Sequence, residues 1–209
     1  VLRKPKNISF KEAATICDGT LTSWNFLKEL GRIKEGYHVL INGASGSLGT
    51  SAVQLARHFG AEVTGVCSTT NLELVRSLGA QNVIDYTKTD FTSSATKYDI
   101  IFDTIGKRSF SESKKALVEN GLYLSPVLSL PLLFQMLTTS FIGGKKAKFS
   151  ATGILSIPKL IAMLEEITEL LENNNLKVVI DKTYSLEEVP MVHRYVETGR
   201  KKGNVVISL

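Results

Sequence analysis

The sequence predicts an α/β protein built on a doubly wound parallel sheet of about six strands. Three observations predict it. Short apolar runs alternate with helical patterns along most of the 209 residues. Those runs are apolar almost without interruption, as in a sheet covered on both faces. A glycine cluster, Gly43-Ala44-Ser45-Gly46-Ser47-Leu48-Gly49, stands where the first run hands over to a helical pattern.

Residues 9–30 read as helical and precede the first strand, 37–42 (YHVLIN), which follows a turn signal at Glu35-Gly36. Leu48, Ala52, Val53, Ala56 and Phe59 then share one helical face, and Gly60 stops the helix. The next strand is 62–67 (EVTGVC), followed by a helix over 71–78 that ends at Gly79. Strands three, four and five are expected at 82–86, 99–104 and 121–127, with a helix near 109–119. Lys146–Ala151 is the candidate sixth strand. An amphipathic helix over 157–172 closes this part. After three asparagines come a strand (177–181), a helix (186–198) and a last strand (204–209), which break the rhythm. The division expected is 1–175 as the main unit and 176–209 as a segment belonging to another layer or domain.

Composition narrows the function classes. Hydrophobic residues make up 43% and charged residues 22%, an ordinary globular balance. A net charge of +5 favours an anionic ligand without naming one. Basic residues cluster only at 145–148 and 200–202, with no aromatic-and-basic stripe, so nucleic acid is not an expected partner. Cys17 and Cys67 show no C-x-x-C spacing; each is expected to be a small buried residue. The most apolar stretch, 128–142, falls short of the roughly 18 residues of a membrane span and contains Pro131. It reads as a buried or interface helix, and no membrane partner is expected. With no signal peptide legible, a reducing, cytoplasmic location is expected. The opening RKPKNISFKEAA reads as the interior of a longer chain.

The glycine cluster carries the chemistry. Between a strand and a helix, the first glycine allows a sharp turn and the middle one lets backbone approach a pyrophosphate. The last permits close helix–strand packing, and the helix N-terminus faces the phosphates. This is the entry turn of a Rossmann unit. Its spacing is G-x-x-G-x-x-G, with Ala44 where a glycine is usual. No Lys-Ser/Thr pair follows, which excludes a P-loop. An NAD site carries an acid at the end of the second strand to meet the ribose 2′-OH. Here that place reads Ser68-Thr69-Thr70-Asn71, without an acid. Hydroxyls at a helix start suit a 2′-phosphate, so NADP(H) is the expected cofactor; the plainer reading of the run is an N-cap cluster.

The run INGASGSLGTSAVQLARHFGAEVTGVCST, with LVRSLGAQNVIDY, YDIIFDTIG and the closing HRYVETGRKKGNVVIS, resembles the zinc-independent quinone oxidoreductases of the medium-chain dehydrogenase/reductase superfamily. The likeness runs over essentially the whole chain. It implies an NADPH-dependent reductase of quinones or related activated carbonyl or alkene compounds, with a GroES-like catalytic domain preceding this part. Residues 176–209 would then return to that domain. Carried over by position, Ser45, Gly46, Ser47, Leu48 and Gly49 would hold the pyrophosphate. Ser68 and Thr69 would face the 2′-phosphate, and Tyr86 would lie beside the adenosine. Thr104, Ile105 and Gly106 would approach the nicotinamide ribose, Thr22 the nicotinamide, and Ser125 would end the fifth strand. Arg200 would neutralise phosphate charge. The same residues have plainer readings: Tyr86 as packing, Thr22 and Thr104 as caps, Arg200 as a solvated charge.

The resemblance also implies a homodimer joined through the edge strand Lys146–Ala151. In zinc-dependent relatives a metal ligand falls near Cys17-Asp18. Here no further ligands with suitable spacing are visible, and His38, His58 and His193 are scattered, so no metal is expected. No general acid can be named; Asp103 is a candidate by position only, and fixing local structure is its plainer role. Two other readings stay open: a module that senses NADP(H) without turnover, and a zinc alcohol dehydrogenase.

Overall fold

The computed structural model describes residues 2–141 and 143–209. Six strands form one fully parallel sheet: β1 (His38–Asn42), β2 (Glu62–Cys67), β3 (Asn82–Asp85), β4 (Tyr98–Asp103), β5 (Leu117–Leu124) and β6 (Lys146–Lys148). Their order is β3-β2-β1-β4-β5-β6, the Rossmann order expected. The order reverses between β1 and β4, which pair Asn42 with Asp103 at their ends. That reversal is the switch point, beyond whose strand ends open α/β sheets bind their ligands in a crevice.

Alternate strand residues feed two cores, because side chains along a strand point to opposite faces. Val39, Ile41, Ile100 and Phe102 join one core. It is covered by α3 (Ser47–His58), α4 (Leu72–Ser77), α7 (Ile157–Glu172) and the N-terminal helical run. Leu40, Ile101 and Tyr123 join the other, under Phe110 of α5 (Phe110–Ser113) and Leu132 of α6 (Leu130–Phe141). The N-terminal run consists of α1 (Phe10–Thr15) and α2 (Leu21–Trp24), each followed by a π-helical turn, Ile16–Thr20 and Asn25–Leu30. Phe26 stacks on Phe102 with ring centroids 5.1 Å apart, which fixes this run to the sheet.

Several expectations need correction. The helix expected near 109–119 is only α5 plus a 3-10 turn, Lys114–Ala116. β5 therefore starts at Leu117, which pairs with Tyr98. The sixth strand is three residues long rather than six. The strand expected at 177–181 is β7 (Ile180–Ser185). Lys177 instead meets the side chain of Gln54, which accepts from its N–H and donates to its carbonyl, both at 2.9 Å. β7 pairs in parallel with β8 (Asn204–Ser208), and α8 (Val189–Glu197) connects them. Of the described residues of the apolar stretch 128–142, α6 buries Leu132 and exposes Leu130, Phe134, Leu137 and Phe141. It is a surface helix, and the buried reading fails. Ile142 lies outside the described residues. Cys67 is buried as expected, but Cys17 sits exposed on the first π turn.

Candidate dinucleotide-binding site

The glycine turn leaves β1 at the crevice. Gly43 has φ +81°, and a Cβ there would stand 2.6 Å from Thr104 Oγ1 and 2.5 Å from Ile105 Cγ1. A side chain is excluded twice, by conformation and by space. Gly49 is tighter still: a Cβ would fall 2.1 Å from the Gly43 carbonyl oxygen. Gly46 differs. Its φ is −82°, and a Cβ would meet only the Gly43 oxygen, at 3.5 Å. The protein itself leaves room at Gly46, so the glycine keeps the space in front of the turn open rather than the space behind it.

Gly46 is also the N-cap of α3 and supplies no side-chain hydrogen bond to the helix start. The first N–H groups of a helix lack intrahelical partners and carry its positive dipole end. Ser47, Leu48 and Gly49 therefore present an anion-binding end at the crevice. Around it the polar side chains are fixed. Asn71 Nδ2 donates to Ser45 Oγ at 3.0 Å. Ser47 donates its hydroxyl to Asn204 Oδ1, and Asn204 Nδ2 donates to the Val179 carbonyl at 3.0 Å. Gly203 N donates to the Ser45 carbonyl at 2.8 Å. The C-terminal segment thus latches directly onto the glycine turn.

The loop after β4 is organised by Asp103, which is fully buried. Its carboxylate accepts from Asn42 Nδ2 (2.8 Å), the N–H groups of Ile105, Gly106 and Arg108, and the Tyr123 hydroxyl (3.0 Å). Burial and the adjoining carboxylate push the Tyr123 hydroxyl far above its ordinary pKa, so it stays a donor. Thr104 adds two bonds to the Asn42 carbonyl, from N–H (3.1 Å) and Oγ1 (2.8 Å). Thr104, Ile105 and Gly106 are thereby held against Gly43. Asp103 shapes this loop, the plainer of its two sequence readings.

The other expected residues lie as follows. Thr22 is half-buried on α2. Its neighbour Ser23 donates to the Leu48 carbonyl at 2.9 Å, and Thr20 meets Ser51 at 2.9 Å between hydroxyls, so this helical run abuts the start of α3. Ser125 is buried beyond the end of β5, and its Oγ accepts from Val127 N at 3.2 Å. Tyr86 is exposed just past β3, its N–H bound to the Cys67 carbonyl at 3.1 Å. Ser68 and Thr69 follow β2 and open a short 3-10 turn. Arg200 is exposed. The basic side chain folded toward the glycine turn is Lys201, whose Nζ donates to the Gly203 carbonyl at 2.8 Å, near Asp18. Its burial lowers its pKa.

A carboxylate that the sequence analysis does not single out stands beside Ser68 and Thr69. The end of β2 has no acid of its own, but β3 ends beside it, pairing Cys67 with Asp85. Asp85 accepts from Thr69 Oγ1 at 2.5 Å and from Thr87 Oγ1 at 2.7 Å. These bonds hold its carboxyl below the usual carboxylate range. The signal was present: parallel neighbours end at the same edge, so the last residue of the third strand belongs to the same site as the last of the second.

Two cavities stand out among the described residues. One of about 30 Å³, room for about one water molecule, lies among Gly106, Tyr123, Ser125 and Leu132. A larger one of about 310 Å³, lined by Trp24, His58, Phe59 and Glu169 among others, lies at the far end of α3 from the glycine turn.

A sequence profile described as zinc-binding dehydrogenase matches residues 78–207. Among curated proteins, 2-methylene-furan-3-one reductase of Solanum lycopersicum is 34% identical over 211 residues, covering 99% of this chain and 49% of its own length. The mitochondrial NAD(P)H oxidoreductase RTN4IP1 of Mus musculus is 31% identical, covering 100% of this chain and 58% of its own length. The chain thus spans about half the length of these relatives. Among solved structures, the quinone oxidoreductase of Coxiella burnetii superposes with a TM-score of 0.84 at 25% identity, covering 100% of this chain and 63% of that one. The CurK enoyl reductase shares the fold, with a TM-score of 0.87 at 24% identity over 99% of this chain and 65% of that one.

Proposed function

The chain belongs to the zinc-binding dehydrogenase family of the medium-chain dehydrogenase/reductase superfamily, and from that premise we propose that it is the NADP(H)-binding part of an oxidoreductase that reduces a quinone or a related activated carbonyl or alkene. The observation that carries the reading is the α3 N-terminus, uncapped by any side chain, behind a glycine turn at the sheet's switch point. The residues present fit a dinucleotide. Ser45, Gly46, Ser47, Leu48 and Gly49 would hold the pyrophosphate, and Ser68, Thr69 and Tyr86 the adenosine end. Thr22, Thr104, Ile105, Gly106 and Ser125 would line the nicotinamide side. Arg200, together with Lys201, would add positive charge near the phosphates. When bound, the cofactor supplies the hydride. The chain's own residues bind and orient it: Asp103 and Asn42 fix the loop that faces it, and the latch from Gly203 and Asn204 fixes the turn beneath it.

Among the described residues no three His, Cys, Asp or Glu side chains converge, and Asp18 lies near Lys201, so this chain alone offers no complete zinc site and none is proposed within it. In this reading residues 1–175 form the cofactor unit, and 176–209 return to a GroES-like catalytic domain that precedes this part. The isolated two-stranded sheet of β7 and β8 supports this, since a pair of strands alone is marginally stable. A homodimer through the edge at Lys146–Ala151 is part of the same proposal, supported by the edge position of β6 and the apolar face of α6 beside it. The compartment proposed is the cytoplasm; no described helix is long and apolar enough to cross a membrane.

The test is turnover by the full-length protein with NADPH and a quinone, followed at the NADPH absorbance. Consumption of NADPH that depends on the quinone supports the proposal. Tight dinucleotide binding without consumption of any quinone, enone or aldehyde offered would overturn the reductase reading.

A further inference from the structure

The position that decides between NADP(H) and NAD(H) in this fold is the one facing the adenosine 2′ substituent, at the end of the second strand. In this chain that position is built from two strands. Thr69, just beyond β2, spends its hydroxyl hydrogen on Asp85 Oδ2 at 2.5 Å. Thr87 spends its own on Asp85 Oδ1 at 2.7 Å, and its N–H reaches the same oxygen at 3.0 Å. The Thr69 and Thr87 hydroxyls are 3.2 Å apart. The Asp85 side chain is only 9% exposed, and Lys88 Nζ stands 3.9 Å from it, 70% exposed. The result is a carboxylate screened by two threonines and one loose lysine, placed beside the hydroxyls expected to receive a 2′-phosphate.

We infer that Asp85 is a specificity-determining residue of this site, limiting the preference for a 2′-phosphorylated dinucleotide over its unphosphorylated counterpart. This rests on the dinucleotide reading above. Two physical effects act in the same direction. The carboxylate repels a phosphate dianion at short range. It also consumes the donor hydrogens of Thr69 and Thr87, leaving their oxygens as acceptors toward the ligand. A ribose 2′-OH can donate to such acceptors, whereas a phosphate cannot. Thr69 opposes the effect in part, because it covers the carboxylate.

The two residues therefore predict opposite shifts. In Asp85→Asn the charge is gone, the threonine hydroxyl that faces the amide nitrogen loses its acceptor and turns to the ligand, and Lys88 is freed. The ratio of NADPH to NADH affinity should rise about tenfold. In Thr69→Ala the carboxylate is uncovered and can accept from a 2′-OH. The same ratio should fall, by about threefold or more. Calorimetric titration of the chain and both variants with NADPH and with NADH reads the ratios directly, and thermal melts establish that each variant is folded. Thr69 is exposed and has no place in the core, so this variant carries the test if Asp85→Asn fails to fold. A parent chain that binds either dinucleotide, with folded variants keeping the parent's ratio, overturns the inference and leaves the proposed function standing. A parent that binds neither dinucleotide overturns both.

Discussion

Gly46 and Gly49 sit three residues apart in one turn and answer to different demands. A methyl at Gly49 would collide with backbone, 2.1 Å from the Gly43 oxygen and 2.7 Å from Ala44 Cα. Gly49→Ala should cost about 1–3 kcal/mol or more, read as a lowered urea midpoint. A methyl at Gly46 has ordinary clearance, 3.5 Å from its nearest neighbour, and the φ of −82° suits any residue. Gly46→Ala should keep the parent's melting temperature and weaken dinucleotide binding at least about tenfold, because the methyl occupies the ligand's side of the turn. The steric roles of Gly43 and Gly49 were legible in the sequence, since each is local to the turn. Asp85 is harder to read, because its signal, the end of the third strand, counts only once β3 is placed beside β2. Asn204 is hidden for the same reason: 157 residues separate it from Ser47, and no local pattern encodes that approach.

Strands buried on both faces, such as β2, were legible almost to the residue, because consecutive burial from Val63 to Cys67 leaves a short run free of charge between turn signals. Elements at the margins were not. β5 begins in what reads as helix because Leu117 pairs with Tyr98 across a register shift, a tertiary contact that overrides local preference. The stretch around Leu132 was read as apolar, correctly, but burial does not follow from apolarity at a sheet edge. There, α6 caps the last strand: Ala147 N donates to Thr139 Oγ1 at 3.3 Å. Beside that edge Leu130, Phe134, Leu137 and Phe141 stand exposed, between 59% and 83%. This apolar face is the surface on which the proposed homodimer would form. If two copies meet here, sedimentation should report a dimer at micromolar concentration. Phe134→Glu with Leu137→Glu should yield monomer with an unchanged melting temperature, since neither side chain is in the core. A parent that sediments as a monomer at high concentration would remove the dimer from the proposal.

At the scale of the whole molecule, several carboxylates are stabilised by hydrogen bonds in the folded chain. Ser9 holds Glu12 low and Ser109 holds Glu112 low, each in a capping box. Thr92 N–H does the same for Asp90, and Thr69 and Thr87 for Asp85. A folded pKa below the unfolded one contributes stability that is complete above the unfolded value and lost as pH falls through the folded value. The ordinary values are 3.8 for Asp and 4.5 for Glu. Thermal stability should therefore be flat from neutral pH to about 5 and decline steadily below about 4.5, with the decline reduced in Glu12→Gln with Glu112→Gln. The proposed dinucleotide site centres on the start of α3, beyond the ends of β1 and β4. Calorimetric titration of the chain with NADPH, beside Gly46→Ala, tests that place most directly. NADPH should bind saturably, one per chain, with binding lost or greatly weakened in Gly46→Ala at an unchanged melting temperature. Equal binding by the two proteins, or none by the parent, would contradict the proposed site.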